Sequence, residues 1–456
     1  MSSSPAVEAP SKPLPGAYAA LALLFIINMV NYVDRYLLAA VAPQARHDLL
    51  PGLTEGEQLA DMGILQGIFM VAYMIAAPYF GWLSDRYSRW KLVGAGLVIW
   101  SVATGMSGMC SSFWSMLFFR CLVGVGEAAY APAAPAILAD LFPLKYRGKA
   151  ITIFYIAIPV GSALGFIYGG KMQAVPGLDW RWAFYCMVPP GLLLACFCFF
   201  MREPKRGGAE GADYKPSQAP RWKNYWKIIT NKSFLYCCLG MTAMTFAVGG
   251  ITTWMPTYVS HRQLQEDPEL KERLAKAPEQ ARKDALKQAN DGFGMIVVVG
   301  ALLSTLAGGW AADALRSRFS GSYFLVSGVT MFAAFGCFLL FLNSPLTIVG
   351  WGSLFLTVFF VFANTGPTNT ILANVIHPSM RQMAVAICIL MIHSLGDVIS
   401  PWVIGKVAGS DEGLSRGFVV VSVMILLSGI IWCLGARHLE RDTANAPHQL
   451  DDEKTT

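Results

Sequence analysis

Twelve runs of about 20 predominantly apolar residues recur along this chain, each long enough to cross the roughly 30 Å hydrocarbon core of a bilayer as a helix. They fall near 17–42, 61–83, 92–110, 114–141, 149–170, 182–201, 234–258, 292–312, 323–342, 346–376, 383–404 and 417–434. They are too long and too uniformly apolar for barrel strands, which alternate over about 10 residues. In lipid every backbone N–H and C=O must be satisfied inside the segment, so helices are what can form. Composition agrees: 55% of the 456 residues are hydrophobic and 14% charged, where a soluble domain carries about 25% charged. That balance excludes ordinary soluble enzyme folds. An excess of 35 Lys and Arg over 29 Asp and Glu is too small and too diluted for a nucleic-acid binder. The ten cysteines lie in or beside apolar stretches, without disulfide or zinc spacing. No small-residue cleavage site follows the first run, which reads as a span and not a signal peptide.

Loops on the side of the N-terminus hold 17 Lys and Arg, and the short loops opposite hold five, so the positive-inside rule places both termini in the cytoplasm. An integral multi-pass protein of a bacterial inner membrane is expected. The basic, Gly- and Pro-containing segment 202–232 divides the chain into two halves. The expected layout is a tail over 1–16, a six-helix bundle over 17–201, the linker, a second bundle over 233–436 and a tail over 437–456. Alternating charges over 260–290 suggest a small external helix. The basic and aromatic residues of 221–227 suggest an amphipathic helix on the inner leaflet. Internal echoes support two related halves. Gly81-Trp82-x-x-Asp85 recurs as Gly309-Trp310-x-x-Asp313, offset by 228 residues, and each copy is followed by arginines. Pro143, Arg147 and Ala150 echo Pro378, Arg381 and Ala384.

These features resemble the major facilitator superfamily, through the six-plus-six layout and Gly81-x-x-x-Asp85-Arg86-x-x-Arg89-x-Lys91. Three stretches resemble its spinster-like lysolipid and sphingolipid transporters. They are Asn31-Tyr32-Val33-Asp34-Arg35-Tyr36; Arg120-x-x-x-Gly124-Val125-Gly126-Glu127 running to Pro135; and Asn374-Val375-x-x-Pro378-x-x-Arg381 continuing through His393-Ser394-Leu395-Gly396-Asp397 to Pro401. The first stretch is shared with organic-anion symporters of the superfamily. The resemblance implies an all-α membrane protein of twelve transmembrane helices in two pseudo-symmetric bundles. It implies a secondary transporter, proton-coupled, moving lysolipids or sphingolipid-like amphipaths by alternating access. The rival is an organic-anion symporter in which Arg35 binds a carboxylate. A membrane-embedded enzyme or a non-transporting sensor is the less favoured alternative; the enzyme has no motif in its favour, since neither a zincin His pair nor a nucleotide-binding glycine loop occurs.

A charge at mid-membrane costs about 2.5–3.5 kcal/mol on insertion scales, which makes each one a functional candidate. Asp34 and Arg35 lie in the first span, Arg120 and Glu127 in the fourth. Neighbours on a helix point about 100° apart, so Asp34 and Arg35 need different partners on other helices. Arg120 and Glu127 share a face about 10 Å apart, and Asp34 meets Arg120 if the two helices face each other. Asp34, Arg120 and Glu127 are the expected proton-coupling residues. Arg35, Thr245, Asn364, Thr365, Asn369 and His393 are the expected substrate contacts, the amides of the tenth span lining a wet cavity and Pro367 bending that helix. His393 and Asp397, four apart, read as a hydrogen-bonded pair. Gly161, Gly165 and Gly169 permit close helix packing in the fifth span. The resemblance assigns Gly81, Asp85, Arg86, Arg89, Gly309, Asp313 and Arg316 to a cytoplasmic gate. Neither a metal nor an organic cofactor is expected, the proton being the coupling ion. The expected partners are an amphipathic small molecule or lysolipid and the surrounding membrane lipid, with no nucleic acid and a monomeric state.

Overall fold

The computed structural model describes residues 12–84, 86–206, 209, 226–377 and 380–449. Asp85, Pro378 and 210–225, with most of the proposed linker helix, lie outside the described residues. Secondary structure among the described residues is helical throughout. Among the described residues eleven helices or broken helices are long and apolar enough to span a membrane. They are accompanied by Arg89–Gly108, a 20-residue helix that corresponds to the third apolar run. This helix falls outside those eleven for a physical reason. Thirteen of its residues are buried, so it faces protein more than lipid and tolerates Ser, Thr and Gly.

By its contacts the chain divides into two units, Met1–Gly52 with Ile68–Pro216, and Leu53–Gly67 with Ser217–Thr456. The first holds α1 (Ala17–Leu49), the second half of α2 (Glu55–Ser84), α3 (Arg89–Gly108), α4 (Phe113–Tyr130), α5 (Ala133–Leu141), α6 (Leu144–Ala174), α7 (Arg181–Tyr185) and α8 (Val188–Phe200). A division at the linker alone misses the first half of α2, which groups with the second unit. Missing side chains explain the grouping. A Cβ on Gly63 would meet the Pro401 backbone at 2.6 Å, and one on Gly405 would meet Leu59 O at 2.6 Å. The Glu55 carboxylate also accepts the Asp411 N–H at 3.2 Å.

In the first unit α1 packs along α6. The glycines spaced four apart on α6 set that distance: a Cβ on Gly161 would strike Met29 O, on Gly165 Val33 O at 2.7 Å, and on Gly169 the Ala40 Cβ at 2.6 Å. The fourth apolar run breaks at Ala131-Pro132 into α4 and α5, where Pro132 cannot continue the backbone ladder. At the end of the bundle bearing the N-terminal tail, Leu14 N–H donates to Leu141 O at 3.0 Å. An apolar core runs inward from there through Leu24, Ile27, Leu97, Trp100, Val123 and Tyr130.

The second unit contains α9 (Trp226–Thr230), α10 (Lys232–Glu266), α11 (Pro268–Lys276), α12 (Pro278–Arg316), α13 (Ser322–Asn343), α14 (Ile348–Phe362), α15 (Thr365–Asn374), α16 (Arg381–Ile392), a π-helical turn (His393–Asp397), α17 (Ser400–Ala408), α18 (Leu414–Gly435) and α19 (Leu439–Asn445). The charged segment over 260–290 is helical but not one small helix. α10 and α12 both extend beyond their apolar runs, and α11 bridges them. Asp267 caps α11 by accepting the N–H groups of Glu269 and Leu270. Pairs four apart, such as Arg273 with Glu269 and Lys276 with Glu272, line its wet face. The tenth run breaks at Ala363-Asn364, before Pro367, which sits in the first turn of α15 where its missing N–H leaves no bond unmade.

The α1–α6 seam gives a direct test of the packing. Gly165→Val should lower the thermal unfolding midpoint, with about 1–3 kcal/mol of overpacking to absorb. Gly81→Ala, where nothing lies within 4 Å of the added carbon, should melt like the parent. Equal midpoints for all three proteins would refute the close-approach role of the seam.

Candidate functional site

The four membrane charges of the first unit converge. Asp34 is 1% exposed. Its Oδ2 accepts two hydrogen bonds from α3, from Trp100 Nε1 at 2.6 Å and from Thr104 Oγ1 at 2.8 Å. Its Oδ1 accepts none. One residue on, Arg35 points to a different helix, as the 100° step requires. Its Nη2 donates to Glu127 Oε2 of α4 at 2.8 Å. The side chains of this pair are 15% and 2% exposed, so the arginine is the member that an incoming ligand can reach.

Aromatic rings complete the site. The Arg35 guanidinium lies 4.7 Å from the Tyr32 ring and 5.1 Å from that of Phe69, and the Arg120 guanidinium lies 4.8 Å from the same Phe69 ring. One ring therefore serves two cations, a contact worth most where water is excluded. Gly124 brings Phe69 in, since a Cβ there would overlap the Phe69 carbonyl. Arg120, 1% exposed, is within electrostatic reach of both Asp34 and Glu127. The expected approach of Asp34 and Arg120 is thus electrostatic, while Asp34 accepts its hydrogen bonds from α3. Nothing in the sequence motifs singles out Trp100, Thr104 or Phe69, and Tyr32 enters only through the Asn31–Tyr36 stretch. The available signal was two donors, Trp100 and Thr104, four residues apart on one face of the third span.

At the tail end of this unit Arg89 is 4% exposed and gathers three segments. Its Nη1 donates to Asp140 at 2.6 Å, its Nε to Glu203 at 2.8 Å and its Nη2 to the Pro204 carbonyl at 3.3 Å. Glu203 also accepts from Ser88 Oγ and Trp90 N–H. Arg86 lies 4.1 Å over the Trp82 ring and donates to the Trp82 carbonyl. Gly81 has open space where a Cβ would stand. In the second unit Tyr323 donates to Asp313 Oδ1 at 2.8 Å, and Arg316 lies 5.0 Å over the same ring. Gly309 is open, whereas its neighbour Gly308 presses on the Ala363 carbonyl. The glycine that the packing demands is the one before the repeated motif.

The remaining substrate candidates sit in the second unit and are not alike. Asn364 departs from the cavity-lining expectation. It is fully buried, and its amide donates to the Val361 carbonyl and approaches Met331 Sδ of α13 at 3.7 Å. An amide at a helix break can satisfy a local carbonyl and need not meet water. Thr365 Oγ1 donates to Phe362 O at 2.8 Å, and Asn369, exposed, donates to Thr365 O at 2.8 Å. Thr245 is half-buried beside Gly396. His393 Nδ1 sits 3.0 and 3.1 Å from the two Asp397 oxygens, across the π-helical turn. Among the described residues no cluster of three His, Cys, Asp or Glu could hold a metal ion, and all ten cysteines are free thiols.

Comparison with known proteins agrees with this architecture. The model of the Major Facilitator Superfamily matches residues 24–401. Protein spinster homolog 3 of Danio rerio is 33% identical over 86% of this chain and 77% of its own length. The sphingosine-1-phosphate transporter of Mus musculus is 31% identical over 94% of this chain and 79% of its own length. Protein spinster homolog 1 of Homo sapiens is 34% identical over 86% and 74%. A solved bacterial homolog of the human lysosomal transporter spinster, inward-facing and unoccupied, shares the fold with a TM-score of 0.77 at 20% identity, over 94% of this chain and 98% of that one. Its relatives being transporters and its helices arranged as theirs, the chain belongs to the major facilitator superfamily and, within it, to the spinster family.

Proposed function

We propose that this transporter is a proton-coupled secondary carrier of lysolipids or sphingolipid-like amphipaths, acting by alternating access. The observation that carries the proposal is the charge sum of the buried cluster. Asp34, Arg35, Arg120 and Glu127 are two anions and two cations packed within one bundle, and their formal charges cancel. An unbalanced charge in such a place costs several kcal/mol. An anionic head group that takes Arg35 from Glu127 breaks the balance by at least one negative charge. The site restores neutrality by binding a proton, and this links ligand to proton without any other cofactor.

Arg35 suits the head group. It is the exposed member of its pair, and its planar fork of donors matches phosphate better than an ammonium would. When Glu127 is released, Arg120 lies within reach of both carboxylates and can turn toward it. Asp34 then loses its compensating cation and takes the proton on Oδ1, the oxygen without a donor. The similarity to a mouse protein named as a sphingosine-1-phosphate transporter points to phosphorylated amphipaths as the substrate class. In the second unit the exposed Asn369, with Thr365, Thr245 and His393, supplies neutral or titratable polar contacts. The buried Asn364 is left out of that proposed set. Asp85, Arg86 and Arg89 with Asp313 and Arg316 are proposed as the gate, with Arg89 anchored through Asp140 and Glu203. Residence in a bacterial inner membrane, with both termini cytoplasmic and one chain per working unit, completes the proposal.

Uptake by proteoliposomes across a panel of lysolipids, with and without an imposed pH gradient, tests the reading. Gradient-driven accumulation of phosphorylated members is expected, and equal uptake with and without the gradient would defeat it. Asp34→Asn should abolish substrate-driven proton movement while leaving substrate binding measurable. Arg35→Ala should weaken binding of phosphorylated lysolipids at least tenfold, as expected for loss of about 1.5–3 kcal/mol from a charged hydrogen bond, and should affect neutral analogues much less. Equal weakening of both classes would assign Arg35 a structural role.

A further inference from the structure

We infer that Trp100 and Thr104 are positioning residues of the proton site: they fix Asp34 Oδ2, leave Oδ1 as the atom that takes the proton, and so make α3 the element that reads the charge on Asp34. The inference rests on the proton-coupled reading above and adds the device by which protonation is passed to the backbone.

The geometry is selective. Both donors reach the same oxygen, at 2.6 and 2.8 Å, and the other oxygen accepts nothing. Trp100 cannot follow a moving carboxylate alone. It is 2% exposed, and its backbone N and Cβ lie 2.7 Å from where a Cβ on Gly126 would stand. Gly126 precedes Glu127 on α4, so the backbone from which the Trp100 indole projects is wedged against the turn that carries the partner of Arg35. On its far side Asp34 borders a crevice lined by Val30, Trp100, Ser101, Thr104, Met187 and Gly191 that is too narrow to admit water.

Hydrogen bonds to an ionised acceptor are roughly twice as strong as those to a neutral one. While Asp34 is ionised, both bonds pull α1 onto α3. A proton on Oδ1 turns Oδ2 into the carbonyl oxygen of a neutral acid, and both bonds weaken together. The charged groups facing Asp34 are Arg120 and Glu127, both from α4. The lining residues of α3 and α8 are Trp100, Ser101, Thr104 and Gly191, with Met187 at the start of α8, and none of them carries a charge. The state of Asp34 thus has two outlets, electrostatic to α4 and through hydrogen bonds to α3.

The test is the pH profile of substrate-driven proton movement in proteoliposomes for Trp100→Phe, Thr104→Val, Thr104→Ser and Asp34→Asn. Donors favour the ionised form of the carboxylate they bind, so deleting one makes the proton easier to hold. Trp100→Phe and Thr104→Val should each move the midpoint upward by roughly one pH unit. Thr104→Ser, which keeps the hydroxyl, should return the parent midpoint. Thr104→Val preserves side-chain shape, so it reports even if the tryptophan variant does not fold. An unmoved midpoint in Thr104→Val, or an equal shift in Thr104→Ser, overturns the inference, whatever happens to the maximal rate. The reading beneath it fails separately, if Asp34→Asn moves protons normally.

Discussion

The ion pair between Arg35 and Glu127 is the interaction on which the site depends. It neutralises two of four charges held between α1, α3 and α4, and its arginine alone is accessible enough to exchange partners. Removing one member of a buried pair strands the other at a cost of about 3–5 kcal/mol. Any event that draws Arg35 away must therefore be compensated at once, by a counter-charge or by a proton. A static tie between two helices would need one such pair. Two anions and two cations in one bundle, with both cations against the Phe69 ring, provide alternatives for exchange, which is what the proposed coupling requires.

Small residues make this arrangement possible. The α6 glycines hold α1 close, Gly124 admits the Phe69 backbone, and Gly126 admits Trp100. Each missing side chain lets a backbone approach that a methyl group would block, as is usual where helices associate without a hydrophobic driving force between them. The same device in the second unit draws Gly63 and Gly405 into contact with neighbouring backbone. Close packing fixes helix rotation, and helix rotation decides whether a charge meets a donor or lipid.

The spans, their helical nature and the four charges were legible because bilayer thickness and the cost of a buried charge act on sequence directly. The partners were less so. The 100° step between Asp34 and Arg35 requires different partners, but only packing decides that one finds α3 and the other α4. Trp100 and Thr104 escaped notice because an indole and a threonine in an apolar run pass for core residues. Asn364 misled for the opposite reason: an amide at a helix break looks solvent-seeking, yet it donates to a carbonyl within its own turn. The first half of α2 joins the second unit through backbone approach at glycines, which no hydropathy pattern records.

The central claim is that taking up an anionic head group obliges the site to take up a proton. Proton exchange on binding can be counted by titration calorimetry of a phosphorylated lysolipid in buffers of differing ionisation enthalpy. The account predicts uptake of about one proton per bound ligand near neutral pH, over and above any proton the ligand itself exchanges. Binding that exchanges no proton beyond the ligand's own would show that the buried charges tolerate the anion without compensation, and would contradict the account.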